Sequence, residues 1–283
     1  VTVDACDKLY AASISPKGET ANDTLAAAQL IAKSPWYKPD RIFDLLKLFP
    51  MGKAMLNVPY MPYLQKAPSA WVLPLRFTGG GYLAGGKAMF DHEGNLWVGN
   101  NFTIGWQGSD ALWQGGASKF NPNGKPLSPI TTGFTGGGMM GGTFGAAIDA
   151  KGNAWFSNYG SKSITVFDKN GNPLTPPDGI NFNGRLGLMQ GVIVTPSGDV
   201  WVLGVEKRQL LKFPGGDWTK GEILCEGDSA EPCKSFTAPF HLAIDQQDRI
   251  WVSDSSTKVI RFPASDPTKA ERFDVHANNS GLN

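Results

Sequence analysis

Four stretches of this sequence repeat one pattern, and they limit the fold more than any other feature. Ala88-Met89-Phe90-Asp91 leads into Gly94-Asn95-Leu96-Trp97-Val98. Ala147-Ile148-Asp149 leads into Gly152-Asn153-Ala154-Trp155-Phe156, and Val192-Ile193-Val194 into Gly198-Asp199-Val200-Trp201-Val202. Ala243-Ile244-Asp245 leads into Asp248-Arg249-Ile250-Trp251-Val252. The tryptophans stand 58, 46 and 50 residues apart. Each unit is a short apolar strand, a tight polar turn and a Trp-centred strand. At a period near 50 this predicts a mostly β fold, a β-propeller whose blades are the repeats.

Between the tryptophan lines the rest of each blade can be placed. Inner strands are expected at positions such as Lys87 to Asp91. Third strands are expected at Ala117 to Asn121, Ser163 to Asp168, Gln209 to Phe213 and Val259 to Phe262. Outer strands are expected at Trp71 to Phe77, Ile130 to Phe134 and Glu271 to Val275. The first two of these run into Thr78-Gly79-Gly80-Gly81 and Thr135-Gly136-Gly137-Gly138, glycine turns opening the next blade. This gives four complete blades plus an orphan outer strand. A ring of five or six blades is therefore expected, completed beyond Asn283 or by another chain. A four-bladed ring with one redundant strand is the rival. An open ring leaves edges able to pair with other chains.

Residues 1–70 read differently, as a helical and irregular segment ahead of a propeller at 71–283. Asp7 to Ala12 predicts a short helix. Asn22 or Asp23 can cap a second helix over Thr24 to Lys33, and Asp40 a third over Arg41 to Leu48. Its apolar face needs cover, and the propeller rim is the nearest.

Charged residues make up 18% of the chain and the net charge is +1, with no basic run, which argues against a nucleic-acid partner. No apolar run reaches the ~18 residues of a membrane span. Cys225 and Cys233 flank an acidic loop and are expected to form a disulfide, the usual state outside the reducing cytosol, leaving Cys6 over. The three cysteines and three histidines show no ligand spacing, so neither a metal nor a cofactor is expected.

Ligand sites on a propeller are expected on the face built by two loop sets, those entering the inner strands and those following the tryptophan strands. The longest, Asn100 to Gly116, carries Phe102, Trp106 and Trp113, able to stack on a sugar or to cap the face. Tyr159 and Arg208 lie on other loops of this set. Met139 and Met140 offer a soft contact or a channel plug. Glu206-Lys207-Arg208 is a solvated turn or an anion site. His92 is expected to face solvent. His241, at the channel mouth, is the best-placed histidine for chemistry, with packing as the alternative.

The lines Gly145 to Phe156 and Leu242 to Asp254 resemble NHL repeats and the related virginiamycin B lyase propellers. The helical preface followed by Trp71 to Gly81 resembles secreted bacterial NHL proteins. The resemblance implies fold more than activity. Where the lyase family carries Glu after its tryptophan line, this chain has Asn100, Asn158, Gly204 and Asp254, of which Asn100, Asn158 and Asp254 read instead as turn residues. Where gluconolactonase-like propellers carry metal ligands, it has Gly86, Phe144, Gln190 and Phe240. The expectation is a secreted or cell-surface, non-catalytic module that binds protein or polysaccharide through its loop face, or assembles through its blade edges. The alternatives are a subunit of an extracellular assembly and a lyase or hydrolase using His241 and Asp254.

Overall fold

The computed structural model describes residues 3–45, 66–71, 77–100, 116–140 and 142–275. The chain divides into two units, Val1–Leu75 and Arg76–Asn283.

In the first unit, α1 spans Val3–Ala12, longer at its start than the sequence suggests. Asp4 sits in its first turn, where a carboxylate favours the helix dipole, and pairs with Lys8 one turn on at 2.7 Å. Helix α2 spans Thr24–Lys33, and the Asp23 carboxylate caps it by accepting from the Ala26 N–H at 2.8 Å. Helix α3 spans Pro39–Asp44. It starts before the expected Arg41 because Pro39 has no N–H to lose and a backbone already set for a helix. Trp71 belongs with these helices. Its N–H donates to the Pro35 carbonyl at 2.8 Å and its indole to that of Pro39 at 2.9 Å. The outer strand expected at Trp71 to Phe77 falls mostly outside the described residues.

In the second unit the described residues form four antiparallel sheets. The first holds β1 (Gly85–Phe90), β2 (Leu96–Asn100) and β3 (Ala117–Phe120). The second holds β4 (Thr143–Ile148), β5 (Ala154–Asn158) and β6 (Ser163–Phe167). The third runs β7 (Met189–Val194), β8 (Val200–Gly204), β9 (Gln209–Phe213) and β10 (Glu222–Glu226). The fourth runs β11 (Pro239–Ile244), β12 (Arg249–Asp254), β13 (Lys258–Pro263) and β14 (Glu271–Asp274). Inner strands β1, β4, β7 and β11 neighbour one another in that order. This is a propeller architecture of meandering sheets about a common axis.

One expected strand is absent as a strand. The segment up to Phe134 makes only isolated bridges, Phe120 with Pro126 and Ala117 with Phe134. Pro126 and Pro129 cannot donate to a ladder, and Gly133 has a positive φ of 70°, so continuous pairing fails there. The second sheet repeats this with bridges at Pro173 and Ile180. The glycine triplets supply the substitute. Gly81 donates to the Ile130 carbonyl at 2.7 Å, and a Cβ on Gly81 would stand 2.0 Å from the Gly133 nitrogen. Gly138 makes the same approach to Gly179, at 2.3 Å. Each triplet thus lies against the outer part of the blade it opens, where only glycine fits.

The blades pack through the tryptophans. Trp97 is buried among residues of the second sheet, Trp155 among those of the third and Trp201 among those of the fourth. Each turn carboxylate fixes its tryptophan. Asp91 accepts from the Trp97 indole at 3.0 Å, Asp149 from Trp155 at 2.9 Å and Asp245 from Trp251 at 2.8 Å. The same carboxylates accept turn N–H groups, such as those of Asn95, Asn153 and Arg249. In the third sheet Thr195 takes the Asp position, and the buried Trp201 indole N–H is left without a partner.

Among the described residues of the second unit, no further sheet packs on the outer face of the first or the last sheet. Phe90 is 70% exposed and Ala88 is exposed, whereas their repeat equivalents Ile148, Val194 and Ile244 pack against a preceding sheet. On the last sheet Ala243 is exposed and Trp251 only half-buried, stacked on Phe273 at 5.9 Å.

Candidate functional site

Every inner strand has a bulge near its start. Pairing slips between Gly85 and Ala88, Thr143 and Gly145, Met189 and Gly191, and Pro239 and His241. Gly86, Phe144, Gln190 and Phe240 fall at these slips. A bulge inserts one unpaired residue and re-aims its side chain, here at the same level in four neighbouring strands.

These side chains meet across the axis rather than along one sheet. Phe144 and Phe240, from the second and fourth sheets, stand 5.4 Å apart edge to face. The His241 ring lies 5.2 Å from Phe144 and 4.9 Å from Phe240. Lys87, next to the first bulge, reaches to the third sheet and donates from Nζ to the Val192 carbonyl at 3.2 Å. Burial lowers the Lys87 pKa. Burial also lowers that of His241, and the nearby Lys87 charge lowers it further, so both favour the neutral form more than free side chains do. Gln190 is buried and its side-chain oxygen has no hydrogen-bond partner.

The two loop sets do meet at this end. Tyr159 N–H donates to Gly142, Val205 to Leu188 and Ser255 to Ala238, each joining a following loop to an entering one. Asn100, Asn158 and Asp254 are more than turn residues, the role their position suggested. They are buried and hold the entering loops. Asn100 Nδ2 donates to the Gly81 and Gly116 carbonyls and its Oδ1 accepts from Leu83 N–H. Asn158 Nδ2 donates to the Gly138 carbonyl at 3.4 Å and to Thr165 Oγ1 of β6 at 2.8 Å. The Asp254 carboxylate accepts from Thr237 N–H at 2.6 Å, from Ala238 N–H and from Ser256. Gly204 has no side chain for this task, and Gln209 performs it, accepting from Gly187 N–H and donating to the Arg185 carbonyl. That substitution was not visible in the sequence, because Gln209 lies on the next strand.

The remaining candidates separate. Met139 is buried between the first two sheets and Met140 is 55% exposed, so the two do not act as one plug. Arg208 donates to Asp228 and to the Phe236 carbonyl, closing the loop that the Cys225–Cys233 disulfide also holds. Glu206 accepts from Lys162 and from Leu188 N–H. His92 is exposed, but its ring nitrogen bonds the Asp149 carbonyl at 3.0 Å and so links two blades. Phe102, Trp106 and Trp113 lie outside the described residues. Among the described residues no group of three or more His, Cys, Asp or Glu could hold a metal ion, and no helix is long and apolar enough to cross a membrane.

No family model matches the chain, and no curated protein matches it. Several solved structures are similar to it. One is a nidogen/laminin complex, at 14% identity over 65% of this chain and 62% of that one, with a TM-score of 0.48. Another is a catalytically inactive virginiamycin B lyase from Staphylococcus aureus with quinupristin, at 16% identity over 74% of this chain and 60% of that one, TM-score 0.47. A third is the extracellular domain of a one-component system from B. thetaiotaomicron, at 16% identity over 68% of this chain and 24% of that one, TM-score 0.47. The chain spans about three-fifths of the length of the first two.

Proposed function

We propose that this chain is an extracellular propeller module that binds a protein or polysaccharide through its loop face without chemically changing it. One observation carries the reading: the Asp254 carboxylate is spent on Thr237, Ala238 and Ser256, while the His241 ring packs on two phenylalanines. A general acid–base pair needs its groups within hydrogen-bond reach of each other or of a shared substrate. Here the carboxylate instead holds a loop in place. The disulfide favours an exported setting, where such bonds persist. The NHL-type repeat, and residues 1–70 as a separate helical preface, belong to the same reading. The test is a screen of the labelled protein on immobilised glycans and extracellular proteins, with each bound ligand recovered and weighed by mass spectrometry. Saturable binding with unchanged ligand is expected. A product that disappears with His241→Ala would establish the lyase or hydrolase alternative.

A second reading, assembly, is favoured by the outer faces of the end sheets. The Phe90 face of one copy laid on the Trp251 face of another would repeat the junction already made three times inside the chain. A second copy is therefore the expected occupant. Light scattering should then show a mass above the 30.4 kDa of one chain. A single-chain mass at high concentration would contradict it.

A further inference from the structure

The bulge layer brings a cation, an imidazole and two aromatic rings together. We infer that it is a site for an acidic sugar, with the carboxylate between Lys87 and His241 and the sugar ring against Phe144 and Phe240. This rests on the loop-face reading and names the ligand class it would take.

The charge argument comes first. The Lys87 ammonium is half-buried and its hydrogen bond goes to a backbone carbonyl. Three other basic groups of this end have acidic partners, Lys162 with Glu206, Arg185 with Glu226 and Arg208 with Asp228, and the exposed bonds of Lys207 and Lys258 go to neutral oxygens. Among the described residues no ion pair involves Lys87. A cation with one neutral partner in a partly dry site is under-solvated, and an incoming carboxylate restores what burial removed. His241 would add a second donor. Lys87 is the charged group that acts on it; Phe144 and Phe240 are its ring contacts, and Ser253 meets only its backbone. A bound anion offsets the repulsion from Lys87, so the imidazole takes up a proton as the ligand binds.

The rings fix the other half of the ligand. Phe144 and Phe240 are both half-buried and so keep accessible surface. Aromatic side chains give a flat apolar platform with little loss of rotamer freedom. A carboxylate beside an apolar C–H face is what a uronic acid presents to such a site, and an aromatic acid is the alternative that the titration separates.

The experiment is calorimetric titration with tetragalacturonate, with its methyl ester, which keeps the sugar rings and loses the charge, and with benzoate as the aromatic acid. The acid form should bind at least ten times more tightly than the ester, and more tightly at pH 5.5 than at pH 7.5. Lys87→Met should weaken binding at least tenfold, Lys87→Arg should restore most of it, and His241→Gln should flatten the pH dependence. Melting curves check that each variant is folded. Equal binding of acid and ester, no effect of Lys87→Met in a folded variant, or no binding of the acid form overturns the proposal. Binding of benzoate without tetragalacturonate overturns the sugar. If glycan or protein ligands are still captured in the wider screen, the loop-face reading survives and the acidic sugar alone is lost.

Discussion

At the scale of single residues, the fold depends on a few carboxylates doing two tasks. Asp91 is 6% exposed at its side chain and holds its turn, the Trp97 indole and the Lys119 ammonium at 3.1 Å. Burial raises its pKa, and the bonds from Asn95 and Trp97 more than offset this, so the folded value lies below the ordinary carboxylate range. A depressed carboxylate stabilises fully above its unfolded pKa of about 4, and the benefit is lost as pH falls through the folded value. Asp91→Asn should therefore cost about 1–3 kcal/mol at neutral pH, and the difference from wild type should shrink in acid, as read by urea unfolding. The third blade offers the reverse test. Thr195→Asp alone sets a second carboxylate beside Asp199, whose N–H already meets the Thr195 hydroxyl. With Asp199→Asn added, the blade regains the arrangement of its neighbours and the Trp201 indole gains an acceptor. The double variant should be about 1 kcal/mol more stable than wild type, and the single variant should gain less.

At the scale of elements, most of the blade was legible. The tryptophan strands and their turns were plain because hydrophobic alternation and turn chemistry agree there. Residues 126–134 misled because an outer position with good strand formers also carries Pro126, Pro129 and Gly133. The glycine triplets read as simple turns, since nothing local shows that each fits against the outer part of its blade, Gly81 against Gly133 and Gly138 against Gly179. The inner-strand bulges left no local signal at all: their residues are Gly, Phe, Gln and Phe. Gly138→Ala is the sharp test of the triplet. It combines a φ of 83° with a Cβ 2.3 Å from the Gly179 nitrogen and should cost more than about 2 kcal/mol. Replacing both Cys225 and Cys233 by alanine should cost about 2–3 kcal/mol, read by urea unfolding, with the far-ultraviolet circular dichroism spectrum unchanged.

At the scale of the whole molecule, four sheets present one ordered end. Carboxamides and a carboxylate at the strand ends hold the loops there, and the bulges of the second and fourth sheets bring Phe144 and Phe240 together. His241 and Asp254 sit on adjacent strands of one sheet, yet their bonds lead in different directions. The layer was only half legible from the sequence: His241 stood out as a histidine at the channel mouth, but Lys87 reaches from β1 past β4 to β7, and no local pattern reports that.

Hydrogen exchange of the protein with and without the tightest ligand from the screen tests the central claim most directly, with the ligand weighed afterwards. Protection at 181–190, 204–208 and 236–241, with the ligand recovered at its original mass, is the expected result. Protection confined to the opposite ends of the strands, or a ligand recovered as product, would contradict it.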